Sequence, residues 1–159
     1  MMLEERIGRI LKEKSLKIAV AESCTGGLIA NRITNVQGAS EYFEMGFVTY
    51  SNDAKELFLF VPEEMIAKAG AVSYEVAQLM AQGVREVTDV DVALSVTGIA
   101  GPGGGTPEKP VGTVYIGLAS KEGVFVRKFL FSGDRIEIKQ QTSEEALKMV
   151  LDALEGRLE

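Results

Sequence analysis

The sequence predicts an α/β sandwich on a mixed, mostly parallel sheet. Short apolar runs typical of buried strands alternate along the chain with longer segments in which apolar residues recur at helical spacing. Strands that alternate with helices pair in parallel, so this order favours an α/β arrangement. The last two apolar runs are separated only by Lys121, Glu122 and Gly123, which predicts an antiparallel hairpin and makes the sheet mixed.

The first part of the chain contains five predicted elements. They are an amphipathic helix with apolar residues at 3, 7, 10 and 11, a strand at 18–21, a helix ending at about 36, a strand at 45–50, and a helix beginning at 54. Ser51, Asn52 and Asp53 are N-cap residue types. Lys55 is therefore expected in the first turn of that last helix.

The second part begins with two helices and ends with a third. Pro62 and Gly70 delimit a short helix, and Ser73 is expected to cap a longer one with apolar positions at 76, 79, 80, 83, 84 and 87. A strand at 91–96 follows, then a loop at 97–105 that is too glycine-rich for regular structure. Strands at 111–119 and 124–131 and a final helix at 134–154 complete the prediction.

The composition predicts one domain over residues 1–159 and narrows the functional classes. A chain of this length buries about two thirds of its unfolded surface, so its core needs neither disulfides nor metal. A single cysteine excludes an intramolecular disulfide, and no apolar run reaches 18 residues, so we expect a cytoplasmic protein without a membrane span. The net charge of −6 argues against a nucleic-acid partner.

Histidine is absent from the sequence, and this restricts the catalytic chemistry. Its absence excludes Ser-His-Asp and Cys-His catalysis and histidine-ligated metal sites, and one cysteine cannot build a thiolate zinc site. We therefore expect no bound metal. A nucleophile in this chain needs lysine, tyrosine or a carboxylate as its base.

Polar residues 22–25 follow the strand at 18–21, and two glycines then open the next helix. Such a turn places a hydroxyl beside free backbone N–H groups, which suits an activated Ser23 with an oxyanion site. The alternative is that Ser23 only caps the helix. Polar clusters also follow the strands at 45–50 and 91–96, and the carboxyl ends of parallel strands form a common crevice, which favours the catalytic interpretation.

Cys24 is an alternative nucleophile, because a thiol needs less activation than a hydroxyl. The side chains of neighbouring residues cannot both point into the crevice, and free cysteines are most often buried filler. Lys55 is the candidate base, with the alternative that it is a solvated first-turn lysine. An ordinary lysine with a pKa of about 10.4 is neutral in only about one molecule in 2,500 at pH 7, so a base at this position requires burial. The apolar run at 57–61 offers such surroundings, and Tyr50 is placed to orient the lysine or relay its proton.

The glycine-rich loop at 97–105 and Arg135 are candidates for binding phosphate. Glycines let backbone N–H groups approach an anion, but the loop has neither a Walker motif nor a dinucleotide fingerprint. The guanidinium fork of Arg135 matches phosphate geometry. Its alternative is a surface arginine paired with Asp134.

Six blocks of the sequence resemble the CinA C-terminal domain family. They are residues 21–27 (AESCTGG), 46–55 (GFVTYSNDAK), 70–73 (GAVS), 95–102 (SVTGIAGP), 109–115 (KPVGTVY) and 131–135 (FSGDR). They occur in the family order and cover nearly the whole chain. The resemblance implies a three-layer α/β/α sandwich and a nicotinamide mononucleotide deamidase of the PncC type, which forms nicotinic acid mononucleotide and ammonia.

The resemblance also implies the roles of individual residues. Ser23 and Lys55 are expected to form the catalytic pair, assisted by Tyr50. Substrate binding is expected at five residues: Thr25, Gly26, Thr97, Gly98 and Arg135. The expected partner is a small-molecule nucleotide substrate, without cofactor, metal or nucleic acid, in a homo-oligomer. The alternative is a catalytically silent nucleotide-binding or regulatory module of the same fold.

Overall fold

The computed structural model describes residues 1–158. Within these residues the chain forms six α-helices and five strands in the order expected from the sequence. The elements are α1 (Leu3–Glu13), β1 (Ile18–Glu22), α2 (Leu28–Thr34), a 3-10 turn (Ala39–Glu41), β2 (Phe43–Val48), α3 (Asn52–Leu59), α4 (Glu63–Ala69), α5 (Tyr74–Thr88), β3 (Val92–Gly98), β4 (Thr113–Ser120), β5 (Gly123–Leu130) and α6 (Arg135–Leu154).

The five strands form one mixed sheet in the order β2-β1-β3-β4-β5. β1 lies between β2 and β3 and is parallel to both, so the carboxyl ends of these three strands meet at one edge. β4 is antiparallel to β3, and β5 closes the predicted hairpin against β4. The prediction of a mixed α/β sheet is therefore confirmed.

Helices cover both faces of the sheet, because successive side chains of a buried strand point to opposite sides. In β1, Ile18 and Val20 join the hydrophobic core beneath α1, α2 and α6, whereas Ala19 and Ala21 join the core beneath α3, α4 and α5. Five residues of β1 are buried without a polar alternation, as expected of a strand covered on both faces. The predicted three-layer α/β/α sandwich is confirmed.

Helix caps fix the segments that surround the parallel strand ends. The side chains of Ser51, Ser73 and Asp134 accept hydrogen bonds from the backbone N–H groups at the starts of α3, α5 and α6. The caps at Ser51 and Ser73 were predicted from the sequence, whereas the capping role of Asp134 was not. Together the caps place Lys55 in the first turn of α3 and Arg135 at the start of α6. No helix within residues 1–158 is both long enough and apolar enough to span a membrane.

The structure corrects three details of the prediction. β2 spans Phe43–Val48 rather than 45–50, and the carbonyls of Thr49 and Tyr50 accept hydrogen bonds from the Lys55 Nζ instead of from a strand. α2 ends at Thr34 rather than near residue 36. Val87, predicted on the buried face of α5, is 44% exposed because it lies in the last turn of the helix, where the packing against the sheet ends.

Candidate active site

The turn between β1 and α2, residues 23–27, places Ser23 at the carboxyl edge of the parallel strands. The Ser23 N–H donates a hydrogen bond to the Val96 carbonyl of β3 at 3.1 Å, which ties the turn to the neighbouring strand. Gly26 and Gly27 have φ angles of +61° and +109°, a conformation that few other residues adopt easily. The turn therefore holds the Ser23 side chain at a fixed position above the sheet.

The cap of α2 is Glu22, and the interpretation of Ser23 as a helix cap is wrong. The buried Glu22 carboxylate accepts hydrogen bonds from the Ile29 N–H at 2.9 Å, the Ala30 N–H at 3.0 Å and the Thr25 hydroxyl at 2.6 Å. These three donors satisfy the hydrogen-bonding capacity of the carboxylate, which takes the capping role. The Ser23 hydroxyl accepts no hydrogen bond from the start of α2. The sequence contained a signal for this role that the prediction missed, since a charged residue at the end of a buried strand needs internal donors.

Lys55 lies directly against Ser23. The Lys55 Nζ is 3.1 Å from the Ser23 Oγ, and it donates hydrogen bonds to the Thr49 carbonyl at 2.9 Å and the Tyr50 carbonyl at 3.2 Å. Only 1% of Lys55 is exposed, so the interpretation as a solvated first-turn lysine is wrong. The Ser51 carbonyl lies at 3.5 Å, so four oxygen atoms surround the terminal nitrogen of Lys55 beside the candidate nucleophile.

The surroundings of Lys55 favour its neutral form. Burial lowers the pKa of the amine from its ordinary value, because a charged group loses hydration inside the protein. Within the described residues no carboxylate forms an ion pair with Lys55 to oppose this shift. The apolar run at 57–61 contributes less than expected: Leu59 and Val61 are buried in the core, whereas the other three residues are exposed.

Ser23 and Lys55 line a cavity of about 280 Å³ at the carboxyl edge of the parallel strands. This volume is near the lower end of the range usual for small-molecule sites. Side chains and backbone from all three predicted polar clusters and from α6 contribute to the wall: Ser23, Cys24, Tyr50, Asn52, Lys55, Ala71, Val72, Thr97, Gly98, Ile99, Ala100, Gly101, Gly103, Gly104 and Arg135. Thr25 and Gly26 are absent from this wall. Asn52 lines it, although the sequence analysis did not select Asn52 as a site residue.

Tyr50 and Arg135 meet at the cavity, away from the Ser23–Lys55 contact. The Arg135 guanidinium donates to the Tyr50 hydroxyl at 2.9 Å and to the Gly101 carbonyl at 2.7 Å. Tyr50 reaches Lys55 only through its backbone carbonyl. Asp134 caps α6 instead of pairing with Arg135, so the expected Asp134–Arg135 pair is wrong, although Arg135 is exposed as that alternative held.

The remaining predicted binding residues differ in what they offer a ligand. Thr97 is buried and its hydroxyl donates to the Ala71 carbonyl at 2.8 Å, which joins β3 to the segment before α5. A side chain at position 98 would come too close to Val114 and to the Cys24 sulfur, so glycine fits there. The Thr25 hydroxyl donates a hydrogen bond to the Glu22 carboxylate, and Gly26 lies beside Lys139 of α6. Thr97 and Gly98 therefore face the cavity, whereas Thr25 and Gly26 support the turn.

Cys24 belongs to the hydrophobic core, although it also borders the cavity. Burial raises the pKa of its thiol to about 11, and the positive charges of Lys139 and Lys55 offset this effect only in part. A thiol with so high a pKa contains very little of the reactive thiolate at neutral pH. The chemistry of the site thus favours Ser23 over Cys24.

We expect Cys24→Ser to keep most of whatever hydrolytic activity the protein has, because the thiol is protonated and lies in the core. The measurement is the steady-state kcat/KM of the variant, with its Tm recorded to detect any loss of packing. A variant that folds normally and has lost its activity would make Cys24 the nucleophile.

Within residues 1–158, no group of three or more Cys, Asp or Glu side chains is arranged to hold a metal ion. We expect any hydrolytic activity to survive exhaustive dialysis against a chelator, because a buried lysine beside Ser23 could act as the base without a metal ion. The assay compares the chelated protein with an untreated sample. Loss of activity that is restored by Mg²⁺ or Mn²⁺ would contradict this expectation.

An α/β sandwich with a serine–lysine pair at the ends of its parallel strands defines the structural class of this protein. The chain belongs to the CinA C-terminal domain family, whose sequence profile matches residues 1–154. A competence-damage inducible protein of Caldicellulosiruptor bescii is 56% identical over 149 residues, which are 94% of this chain and 36% of that protein. A CinA-like protein of Geobacter sulfurreducens is 53% identical over 145 residues, which are 91% of this chain and 35% of that protein. The chain thus spans little more than a third of the length of these relatives.

Solved structures of the same superfamily match over almost their full length. A competence/damage inducible protein from Agrobacterium tumefaciens is 40% identical with a TM-score of 0.89, and the match covers 98% of this chain and 97% of that one. A CinA superfamily protein from Klebsiella pneumoniae is 30% identical with a TM-score of 0.93, with coverages of 97% and 96%. The resemblance to this family is therefore confirmed.

Proposed function

We propose that this protein is a nicotinamide-nucleotide amidase that converts nicotinamide mononucleotide and water to nicotinic acid mononucleotide and ammonia. The contact of 3.1 Å between the Lys55 Nζ and the Ser23 Oγ, with the lysine buried and its pKa lowered, is the observation that carries the proposal. A serine beside a neutral amine is an activated nucleophile that needs no histidine. Membership of the CinA C-terminal domain family supports the same reaction class through the motifs that contain these residues.

The proposed reaction begins when the Ser23 Oγ attacks the carboxamide carbon. Lys55 takes the hydroxyl proton as the C–O bond forms, and the carbonyl oxygen becomes an oxyanion. The backbone N–H of Cys24, which donates to no backbone carbonyl within residues 1–158, is the donor that we assign to this oxyanion, since it directly follows the nucleophile. Lys55 then passes the proton to the leaving nitrogen, and the C–N bond breaks to release ammonia.

Hydrolysis of the acyl-enzyme repeats these proton transfers with water as the nucleophile. Lys55 accepts a proton from the attacking water and returns it to the Ser23 Oγ as the ester bond breaks. The Thr49 and Tyr50 carbonyls hold the amine in place in both halves of the cycle. In this proposal Tyr50 positions Lys55 through its backbone, while its phenol orients Arg135.

Ammonia release from nicotinamide mononucleotide is the direct test of the proposal. Nicotinamide and nicotinamide riboside serve as control substrates, and the Ser23→Ala protein measures the background. Release of ammonia from the mononucleotide alone supports the amidase. A protein that binds the mononucleotide without releasing ammonia would instead be a nucleotide-binding module. We propose the cytoplasm as the location of this activity and a homo-oligomer as its form.

We expect Arg135→Ala to raise the KM for nicotinamide mononucleotide by about 10- to 100-fold, because a charge-assisted contact to the substrate phosphate is lost. The KM for any turnover of nicotinamide riboside should change far less, since that compound has no phosphate. Arg9→Ala, an exposed arginine on α1, is the control. Equal effects on both substrates would assign Arg135 a structural role at Gly101 and Tyr50.

A further inference from the structure

Lys139 lies against the β1–α2 turn and has no partner of its own. Its Nζ is 3.8 Å from the position that a Cβ would take at Gly26. The residue is half-buried, yet in the described residues its ammonium group takes part in neither a hydrogen bond nor an ion pair. A half-buried charge without a counterpart is unfavourable, because part of its hydration is lost and nothing replaces it.

Arg135 stands one turn before Lys139 on the same face of α6. Side chains four residues apart on a helix are neighbours, and two like charges at this spacing repel each other. The partners of Arg135, the Gly101 carbonyl and the Tyr50 hydroxyl, are both neutral, so no carboxylate compensates either cation. This is notable in a chain with 23 acidic and 17 basic residues. An anion between the two side chains would relieve both the repulsion and the lost hydration.

We propose that Lys139 and Arg135 together bind a phosphate monoester, and that Lys139 is the residue that makes the site selective for a phosphorylated substrate. This deepens the proposed function, because it identifies the group that separates a mononucleotide from a nucleoside. A phosphate monoester carries close to two negative charges at neutral pH, which matches two cations. Arg135 supplies a planar fork that is already oriented by its neutral partners, and Lys139 supplies a mobile point charge beside the turn.

The position of Lys139 connects phosphate binding to the reactive serine. The Lys139 Nζ lies near Gly26, 3.8 Å from the position a Cβ would take there, and the Gly26 N–H donates to the Ser23 carbonyl at 3.1 Å. The ammonium charge also acts on the neighbouring Cys24 thiol, where it opposes the rise of the pKa caused by burial. A phosphate held at Lys139 would therefore be bound next to the turn that presents the nucleophile.

The test compares binding of ribose 5-phosphate with binding of ribose, so that it does not depend on amidase activity. We expect the wild-type protein to prefer ribose 5-phosphate in calorimetric titration. Lys139→Met should lower the affinity for ribose 5-phosphate by about 10- to 100-fold and leave the affinity for ribose unchanged. Lys139→Arg should keep most of the affinity for ribose 5-phosphate. Lys148→Met is the matched control on α6, since Lys148 is exposed and pairs with Glu145.

Two results would overturn the inference: equal affinity of the wild-type protein for the two sugars, or an unchanged affinity of Lys139→Met for ribose 5-phosphate. Should Lys139→Met fail to fold, Lys139→Gln keeps a polar side chain without charge and is expected to show the same loss. Failure of the proposed function is a separate result. If the protein releases no ammonia but binds ribose 5-phosphate through Lys139, the phosphate site is supported and the proposed amidase activity is contradicted.

Discussion

Replacing Ser23 with alanine is expected to lower kcat for ammonia release by at least about a thousandfold, because the variant lacks the oxygen atom that would form the proposed acyl-enzyme. The fold should be retained. Glu22 caps α2, and the tie from the turn to β3 uses the backbone N–H of Ser23, so the hydroxyl supports neither feature. Affinity for nicotinamide mononucleotide should also be retained, since the predicted phosphate contacts lie on α6. Activity assays and calorimetric titration of the same preparation measure the two effects.

Ser132→Ala is the control for this experiment, because Ser132 is an exposed serine in the segment before α6. A second line of evidence is a mass increase on Ser23 when the reaction is stopped during turnover. A Ser23→Ala protein with near wild-type activity would contradict the serine mechanism and favour Cys24 as the nucleophile. A variant that loses activity together with its Tm would show that Ser23 is needed for stability instead.

Lys55→Arg is expected to be inactive, although it keeps the positive charge. Arginine cannot release its proton in the accessible pH range, so it cannot accept the proton of Ser23. The larger guanidinium must also fit a site where the Lys55 Nζ already contacts the Ser23 Oγ and two carbonyls. The measurement is kcat/KM with Tm as a control for folding. Lys68→Arg on α4 is the matched control, because Lys68 is exposed.

The pH dependence of the proposed activity in the wild-type protein tests the same residue without a mutation. Only the neutral amine accepts a proton, so kcat/KM should increase as the pH rises through the pKa of Lys55. Burial lowers that pKa, which moves the acidic limb of the profile below the value of about 10.4 for a free lysine. An active Lys55→Arg protein, or a profile whose acidic limb stays near 10.4, would mean that Lys55 acts only through its charge and that another group is the base.

The elements of this fold could be predicted because their signals are local. Ser51 and Ser73 are N-cap residue types that indicate the starts of α3 and α5, and the apolar runs of β1 and β3 indicate buried strands. Strand ends were less predictable. β2 ends at Val48, and the Lys55 Nζ donates hydrogen bonds to the next two carbonyls. Residue types alone do not predict this contact between two segments of the chain.

The candidate site was only partly predictable, for a similar reason. Ser23 and Lys55 were selected from their motifs, and the structure brings them to 3.1 Å. Thr25 and Gly26 were selected from the same motif, yet neither lines the cavity, and the Thr25 hydroxyl donates to the Glu22 carboxylate. The phenol of Tyr50 was expected near Lys55, but it contacts Arg135. A motif identifies neighbours in sequence, whereas the direction of each side chain depends on the backbone geometry of the turn.

By itself, the sequence determined the α/β class, the family resemblance and the exclusion of histidine chemistry, because these follow from composition, periodicity and motif order. The tertiary structure decided which residues of the motifs meet. It buried Lys55 against Ser23, assigned the cap of α2 to Glu22, and brought Lys139 of α6 to Gly26, a residue more than a hundred positions away. Burial and charge proximity are properties of packed segments, and they set the pKa of a lysine or the cost of an unpaired ammonium group only after the chain has folded.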